Sequence, residues 1–557
     1  MQSRLKNTHY IYFICVATLI VYWKTIHYSF LPLDDIPLIK EKLIFFTNPA
    51  NIRFLFTSPL YGDEASLLYR PILNLTYMLD AIIGGGSEKV FHLSNIMYHI
   101  ISVVLVHKFL ISFSYSKKLA ISLTAIFALH PLNVHAIAWI SGRNDILLAL
   151  IVLLSLITFN KFILNEKYYW FIITIFLVFA SLFVKENAII LIVLLISFLS
   201  YYQLEYSRNI LIISSLSFIL LTAILIRNQI VNNDLTFIDF TIIHISQDAL
   251  FILTNYIGKF FIPIKYSVLP HLSDMGIYPG LISVLIISFV IFLTDRMSNT
   301  LFFIGILWFF LFLIIPIFWG LTTGIGEFYE HRMYVPSIGI LLSISQLKLK
   351  IPSGLLSKIC KPLLISIIVI FTIISVHRTK LYSDFNNFSL AAINESPTLA
   401  RSFNLRGQYF HESGKFDSAL AHYNHALDLN NNLYKVFNSR GALKLEKGLY
   451  EYAIEDFTSS IKLNPNFSEA HYNRGLAFSR YGVFKKSLKD YNAAIALSPS
   501  NASYYNNRGY TFEQLNDLSS ALDDYKKAIA LLPGNQIISD NINTVLHKLR
   551  EHEKINK

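Results

Sequence analysis

Two adjacent carboxylates, Asp34 and Asp35, follow directly after the first long apolar stretch of the chain. Such a pair can divide catalytic labour, because one carboxylate accepts a proton or binds a divalent cation while the other positions it. We therefore predict that Asp34 and Asp35 are catalytic residues at a membrane surface, and a candidate pair of metal ligands. The pair could instead cap a short interfacial helix that begins at Ile36 and Pro37.

Basic side chains recur at polar breaks between the later apolar stretches. Arg suits a phosphate because it binds two oxygens at once, and Lys supplies a compact positive charge. The candidates for binding a lipid phosphate are Arg70, Arg143, Lys185 and Arg332. Each of them could instead extend its charge into water from the end of a helix.

Further polar residues lie where an apolar residue would insert into a membrane more easily. A charge near the bilayer centre costs roughly 2.5–3.5 kcal/mol on insertion scales, so such residues indicate functional sites. The supporting candidates are His92, Glu186 and His331. The histidines do not follow the HExxH spacing, and the chain has neither a GxxxxGK[ST] nor a GxSxG motif, which argues against a metalloprotease, an ATPase and a serine hydrolase.

The composition is that of a polytopic, all-α membrane protein. Hydrophobic residues make up 54% of the 557 residues, charged residues make up 15%, and the mean hydropathy is +0.48. Soluble domains carry roughly 25% charged residues. The net charge is +11, yet many basic residues lie at the ends of apolar stretches, so we predict membrane lipid and no nucleic acid as a partner.

Apolar windows of about the length that crosses a hydrocarbon core number about eleven. They are 10–29, 89–113, 119–139, 145–163, 168–184, 187–202, 210–226, 279–294, 300–319, 333–347 and 362–376. Two interrupted stretches, 71–83 and 246–263, are predicted to lie in the interface.

Lys and Arg collect in alternate loops, which predicts a cytoplasmic N-terminus. An odd number of spans then places the C-terminal region on the same side as Asp34 and Asp35. This side would be the periplasm of a bacterial inner membrane or the lumen of the endoplasmic reticulum. One span more or fewer would reverse the placement.

The C-terminal region repeats with a period of 34 residues. Arg-Gly pairs recur with glycines at Gly407, Gly441, Gly475 and Gly509, and an aromatic column recurs at Tyr423, Phe457, Tyr491 and Tyr525. Small residues let two helices approach and the aromatic ring fills the space between them, which is the tetratricopeptide pattern of stacked helix pairs. We predict a membrane domain over 1–380, a linker over 381–399, four repeats over 400–535 and a capping helix over 536–557.

Asparagines on the first helix of each repeat are candidates for binding an acceptor peptide. They are Asn404, Asn438, Asn473 and Asn507. An asparagine side chain can donate to and accept from a peptide backbone. These asparagines could equally be ordinary solvated polar positions.

Taken together, the chain resembles the transmembrane and TPR-containing (TMTC) family of GT-C-type glycosyltransferases. The resemblance rests on an ordered set of motifs, namely Asp34-Asp35, Tyr69-Arg70-Pro71, Phe91-His92-Leu93 with His99, His130-Pro131 with Ala136 to Trp139 and Gly142-Arg143, Lys185-Glu186, and Glu330 to Pro336, followed by the repeats. It implies a GT-C-like transmembrane helical bundle followed by a TPR α-solenoid. With only four clear repeats, the chain is expected to be a compact or bacterial relative.

The resemblance also implies an activity. A member of this family would move a sugar, mannose in the family's characterised members, from a polyprenyl- or dolichyl-phosphate donor to Ser or Thr of a protein presented by the repeats. Asp34 or Asp35 would be the general base, the anomeric carbon would invert, and the four cations would bind the departing lipid phosphate.

Two other interpretations stay open at this point. In the first, the protein is a non-enzymatic, membrane-anchored scaffold whose repeats bind an exported protein. In the second, it is a transferase that acts on a lipid or a polysaccharide acceptor.

Overall fold

A computed structural model describes residues 2–57, 68–114, 116–203, 206–231, 247–292, 294–297, 299–322, 328–349 and 353–555. The regular structure of these residues is helical apart from one short two-stranded ribbon, which confirms the predicted all-α class. The chain divides into two compact units, Met1–Ser396 and Pro397–Lys557, called here the helical unit and the repeat unit.

The α-helices of the helical unit are α1 (Gln2–Tyr22), α2 (Asp35–Leu38), α3 (Leu43–Thr47), α4 (Ile52–Leu55), α5 (Pro71–Gly84), α6 (Glu88–Phe113), α7 (Lys117–Leu129), α8 (Val134–Ala138), α9 (Arg143–Asn165), α10 (Tyr168–Ser181), α11 (Ile190–Tyr202), α12 (Tyr206–Val231), α13 (Gln247–Phe261), α14 (Tyr278–Phe292), α15 (Asn299–Thr322), α16 (Tyr334–Ser345), α17 (Ser353–Thr379) and α18 (Phe385–Glu395). Short 3₁₀ helices cover Trp23–His27, Lys40–Lys42, Pro49–Asn51, Pro131–Asn133, Ile140–Gly142, Glu186–Ile189, Leu272–Asp274, Glu330–Met333 and Lys380–Tyr382. Strands β1 (Thr294–Met297) and β2 (Leu347–Leu349) pair antiparallel.

Each of the eleven predicted windows coincides with helical structure. Among the described residues, six helices are long and apolar enough to cross a membrane: His9–His27, Glu88–Phe113, Ile140–Asn165, Arg208–Ile230, Thr300–Phe318 and Lys361–Tyr382. A seventh crossing results if Lys117–Leu129 and Pro131–Ala138, bent by 43°, form one broken span. Several other windows are shorter apolar helices, so the figure of eleven crossings stays a prediction.

Helices α15 and α16 pack at very short distance through small residues. A Cβ atom built on Gly305 would lie 2.5 Å from the carbonyl oxygen of Gly339, and one built on Gly339 would lie 2.6 Å from that of Gly305. Helices in membranes lack a strong hydrophobic driving force between them and rely on such close backbone contact.

The segments that follow α1 and α17, each after a short 3₁₀ helix, are joined by a hydrogen bond. The Ser29 amide donates to the carbonyl oxygen of Ser383 at 3.1 Å, and the neighbouring amide of Phe30 donates to a Glu88 carboxylate oxygen at 3.2 Å. The segment that carries Asp34 and the segment that enters α18 therefore lie at the same end of the helical unit.

The repeat unit consists of helix pairs with the predicted period. Its helices are α19 (Ala400–Glu412), α20 (Phe416–Leu429), α21 (Tyr434–Glu446), α22 (Tyr450–Leu463), α23 (Ser468–Arg480), α24 (Phe484–Leu497), α25 (Ala502–Gln514), α26 (Leu518–Leu531) and α27 (Gln536–Ile555). A Cβ atom on Gly407 or Gly441 would lie 2.6 or 2.7 Å from the ring of Tyr423 or Phe457. The glycine column and the aromatic column are thus in direct contact within each repeat.

Candidate functional site

One turn of the helical unit connects to several of the predicted site residues. This segment, Trp139–Asp145, joins α8 to α9 and is called here the central turn. A Cβ atom on Gly142 would lie 2.8 Å from the Ala136 Cα atom and 2.9 Å from its carbonyl oxygen, so a larger residue does not fit. The close approach fixes the turn, and the side chains on either side of Gly142 reach different partners.

Asp35 is anchored to the central turn. Its Oδ1 atom accepts hydrogen bonds from the Ser141 backbone amide at 2.9 Å and from the Ser141 hydroxyl at 2.6 Å, while Oδ2 accepts from the Leu31 amide at 3.2 Å. The residue is 1% exposed, and burial raises the pKa of its carboxyl to about 7 although Ser141 and Leu31 act in the opposite direction.

Asp34 differs from its neighbour in exposure. It is partly accessible and occupies the N-cap position of α2, where its side chain makes no capping hydrogen bond. Asp34 therefore stands at the start of a helix, as the capping alternative predicts, but its side chain does not make the capping hydrogen bond. Of the two carboxylates, Asp34 is the one that a second molecule can approach.

The carboxylate pair does not fit a divalent cation well. The two Asp35 oxygens already accept bonds from three donors, whose positive ends would face the metal. Among the described residues, no group of three or more His, Cys, Asp and Glu side chains could hold a metal ion. We therefore derive no catalytic step through a metal.

Arg143 lies inside the helical unit, with its guanidinium group fully engaged. Its Nη2 atom lies 2.6 Å from an Asp80 oxygen and 2.8 Å from the Phe91 carbonyl oxygen, and its Nε atom donates to Asn95 at 2.6 Å. The residue is 0% exposed and lies 5.0 Å from the ring centre of Tyr77. In this arrangement Arg143 ties α9 to α5 and α6 and has no face for a phosphate.

Lys185 binds the end of the central turn. Its ammonium group lies 2.7 and 2.8 Å from the two Asp145 carboxylate oxygens and 3.3 Å from the Asn144 amide oxygen. The Nε2 atom of His331 lies 3.7 Å from the same Asp145 carboxylate. Asp145 thus brings together two predicted site residues that are 146 positions apart in the sequence.

Arg70 forms a bidentate pair with Glu186. The Arg70 Nε atom lies 3.0 and 3.1 Å from the two carboxylate oxygens, and Arg227 lies 4.0 Å from the same carboxylate. The pair is partly accessible, with 13% of the Arg70 side chain and 27% of the Glu186 side chain exposed. A ligand can therefore reach this arginine, in contrast to Arg143.

Arg332 completes a cluster of three cations. Its Nη1 atom donates to the Pro316 carbonyl oxygen of α15 at 3.2 Å, and its guanidinium lies over the Tyr329 ring. Burial lowers the pKa of Lys185, and the positive charges of Arg70 and Arg332 lower it further against the attraction of Asp145. Arg70 and Arg332 therefore both lie near enough to act on Lys185, and we call these three residues the cation cluster.

Glu330 is a site neighbour that the sequence analysis did not single out by itself. It is 1% exposed, and its Oε1 atom accepts from Lys259 at 2.7 Å and from the Ser267 amide at 3.0 Å, while Oε2 lies 3.5 Å from His135. Burial alone would raise its pKa, but Lys259 and His135 hold the pKa well below its usual value. The signal available in the sequence was its position directly before His331 and Arg332, at the start of the Glu330 to Pro336 motif.

His92 is buried beside Tyr28. It is 1% exposed, and its ring makes an edge contact with the Tyr28 ring at 6.1 Å between centroids.

The sequence analysis did not identify Asp80, Asn95 and Lys259. Each is a polar residue inside an apolar helix, so the rule that such residues indicate functional sites could have found them.

Three of the four candidate asparagines of the repeats connect successive repeats. Asn473 donates to Asn438 at 3.0 Å, and Asn438 donates to Glu469 at 3.1 Å. Asn507 donates to the Tyr472 hydroxyl at 2.5 Å, and Asn404 is buried with 8% exposure. They do not form one column, because Asn438 and Asn473 are separated by 35 residues and the other neighbours by 34.

Models of repeat families match the repeat unit. Those described as "Tetratricopeptide repeat" match residues 400–433 and 502–535, and one described as "TPR repeat" matches residues 482–516. A solved structure described as "Crystal structure of MamA protein" is 23% identical, with a TM-score of 0.25, and the match covers 27% of this chain and 81% of that one.

Curated relatives are similar over about a quarter of the chain. Protein O-mannosyl-transferase Tmtc1 of Drosophila melanogaster is 30% identical over 132 residues, which is 24% of this chain and 15% of the relative. Protein O-mannosyl-transferase TMTC4 of Homo sapiens is 31% identical over 153 residues, which is 24% of this chain and 21% of the relative. The chain is similar to these TMTC proteins over that part and combines apolar helices with tetratricopeptide repeats, while it spans only 15% and 21% of their length.

Proposed function

We propose that this protein is a membrane glycosyltransferase that moves a sugar from a polyprenyl- or dolichyl-phosphate donor to a Ser or Thr hydroxyl of a protein. The observation that carries the proposal is the cation cluster beside the central turn, to which the Asp34-Asp35 segment is also attached. The sugar is proposed to be mannose because the curated relatives are named as O-mannosyl-transferases.

The cation cluster suits the leaving group of this reaction. Arg70 and Arg227 lie beside the Glu186 carboxylate, Lys185 binds Asp145, and Arg332 lies near enough to act on Lys185, so the positive charges outnumber the two carboxylates. Breaking the bond between the anomeric carbon and the phosphate oxygen leaves the electron pair on the phosphate, whose negative charge increases. Positive groups held in place beside that oxygen stabilise the transition state more than the bound donor.

Asp34 is proposed as the general base and Asp35 as the residue that positions it. The acceptor hydroxyl oxygen forms the new bond to the anomeric carbon, and its proton passes to the Asp34 carboxylate. Attack on the face opposite the departing phosphate inverts that carbon. Asp35 holds the segment against Ser141, because three donors occupy its oxygens.

An apolar cleft supports a donor that is carried by a lipid. It has a volume of about 250 Å³, and residues of α13, α14, α15 and α16 line it. Phe302, Ile306 and Phe309 of α15 contribute to its wall, and the same helix receives the hydrogen bond from Arg332 at Pro316. A lipid phosphate at Arg332 would thus have an apolar surface for its chain on an adjoining helix.

The repeats are proposed to bind the acceptor protein in the compartment that Asp34 faces, the periplasm or the lumen. The hydrogen bond between Ser29 and Ser383 supports a common side, because it joins the carboxylate segment to the segment that leads to the repeats.

Exposed Lys40 and Ser413 can each be replaced by Cys after Cys15 and Cys360 are changed to Ser. An impermeant thiol reagent should label both engineered cysteines from outside the cytoplasm, and labelling of only one of them would contradict the proposed arrangement.

The activity is tested by comparing Asp34→Asn with the wild-type protein at equal membrane abundance. In the variant, mass spectrometry should show that exported proteins lose hexose on Ser or Thr. The rate of sugar transfer should fall by about 10²–10⁴, the usual contribution of a general base. Glu41→Gln is the matched control, because Glu41 is a nearby exposed carboxylate outside the site. Normal transfer by Asp34→Asn would refute the base assignment, and no hexose on proteins even from the wild type would favour a scaffold or another acceptor.

A further inference from the structure

Four aromatic and imidazole rings form a compact group beside the cation cluster. They belong to His135, Trp139, Tyr329 and His331, called here the ring box. The ring centroids of His135 and His331 lie 4.7 Å apart, and those of Trp139 and His331 lie 5.5 Å apart. Two segments distant in sequence therefore meet here.

Three nitrogen atoms of the ring box are buried without a hydrogen-bond partner among the described residues. They are Nε2 of His135, Nε1 of Trp139 and Nδ1 of His331. The three residues are 2%, 4% and 7% exposed. Buried polar groups in proteins are nearly always hydrogen-bonded, and three such atoms on rings in mutual contact point to a polar ligand.

The ring box adjoins the proposed phosphate site. The other ring nitrogen of His331 lies 3.7 Å from the Asp145 carboxylate, and that carboxylate binds Lys185 at 2.7 Å. In a lipid-phosphate sugar, the anomeric carbon is bonded directly to a phosphate oxygen. A donor whose phosphate is bound by Lys185 would therefore place its sugar beside the cluster, where the ring box lies.

The chemistry of the ring box matches a pyranose. A neutral imidazole offers one donor and one acceptor, the indole N–H is a donor, and sugar hydroxyls need both kinds of partner. The flat rings suit the apolar C–H faces of the sugar. We propose that the ring box is the subsite for the transferred sugar. This inference rests on the proposed function and assigns its sugar-binding residues.

Binding of two probes to the full-length protein tests the inference. The probes are polyprenyl phosphate, which lacks a sugar, and polyprenyl-phosphate mannose. Trp139→Phe keeps a ring but removes the indole N–H. It should raise the Kd of the sugar-bearing probe about fivefold, because one hydrogen bond is lost, and leave the Kd of the sugar-free probe unchanged. Lys185→Gln should weaken both probes.

Trp308→Phe is the matched control. The Trp308 indole nitrogen is also buried without a partner among the described residues, but it lies in α15 against Phe109 and Phe312. This substitution should change the Kd of neither probe. His331→Gln is the second variant, and thermal melting establishes that each variant is folded.

The outcomes separate the two proposals. If the wild type binds both probes and the variants of the ring box weaken both equally or neither, the sugar subsite is refuted and the proposed function stands. If the wild type binds neither probe, the proposed function is refuted and the sugar subsite with it. A selective loss of the sugar-bearing probe supports both.

Discussion

The helical unit and the repeat unit use ion pairs in different ways. In the repeat unit, Arg440, Arg474 and Arg508 each bind the aspartate 16 residues later, and the three pairs have the same geometry. In the described part of the helical unit, most ion pairs join distant segments, such as Arg70 with Glu186, which lie 116 residues apart. His271 with Asp274 and Arg378 with Glu395 are local exceptions.

This difference shows how each unit depends on its charges. A repeated pair connects the two helices of one hairpin. Its loss therefore weakens that hairpin alone, while the equivalent pairs of the neighbouring repeats remain. A unique buried pair closes a contact between segments that no other pair joins, and loss of one partner leaves a charge without compensation. Replacing an arginine is therefore expected to cost a different amount of stability in the two units.

The largest effect is expected for Arg143→Met. The substitution leaves the Asp80 carboxylate buried without its cation, which costs about 3–5 kcal/mol of stability for such a pair. Thermal unfolding of the purified protein should show the loss in the helical unit. Removing both charges, as in Arg143→Met with Asp80→Leu, should recover most of it. A variant with unchanged melting and weaker donor binding would instead make Arg143 a phosphate ligand.

A smaller effect is expected for Gly441→Ala in the repeat unit. The new methyl group would lie 2.7 Å from the Phe457 ring, and overpacking of this kind costs about 1–3 kcal/mol. Gly448→Ala is the control, because Gly448 has a φ of +74° and no neighbouring atom within 4 Å, so it tests backbone strain alone. Circular dichroism of the repeat unit at increasing denaturant concentration measures both, and a greater loss for Gly448→Ala would contradict the contact argument.

Arg474→Gln should cost less than either of these changes. The Arg474 side chain is 20% exposed, and its partner Asp490 is only 5% exposed but also has His471 at 3.9 Å, so the loss of Arg474 is expected to remove about 1 kcal/mol. The same denaturation experiment provides the value. A loss as large as that of Arg143→Met would erase the distinction between local and unique pairs.

A separate expected effect is a dependence of stability on pH with opposite sign in the two units. Burial raises the pKa of Asp35 to about 7 from 3.8, so its contribution to stability is present below about pH 4 and is lost as the pH rises through 7. Burial acts in the same direction on Asp490, but Arg474 and His471 outweigh it and lower the pKa of Asp490, so its contribution is present above 3.8 and is lost as the pH falls further. Melting temperatures of the Asp35→Asn and Asp490→Asn variants across this pH range check both signs.

Much of the fold could be read from periodicity. The 34-residue spacing of glycine and aromatic residues predicted helix pairs in contact, and Gly407 indeed lies against Tyr423. The apolar windows predicted helices for a different reason, because a segment in lipid must satisfy its backbone hydrogen bonds internally. How many of these helices cross the membrane does not follow from such a pattern, since several are shorter than a full crossing.

Less of the candidate site could be read in this way. Residue type identified Lys185 and Arg70, but their partners Asp145 and Glu186 are set by the meeting of different helices. Arg143 carried the same sequence signal as Arg70, yet one is enclosed and the other accessible. Burial depends on all neighbours of a side chain, and single-residue rules do not contain that information.

Local regularities of the chain were sufficient for the helices, the repeats and the set of polar residues, because each depends on hydrophobicity or on contacts at a fixed sequence separation. The assembly of a cation cluster, the anchoring of Asp35 by Ser141 and the enclosure of Arg143 depend on contacts between segments far apart in the sequence. Such contacts form only when the helices pack, and packing distinguishes an accessible charge from one that stabilises the interior.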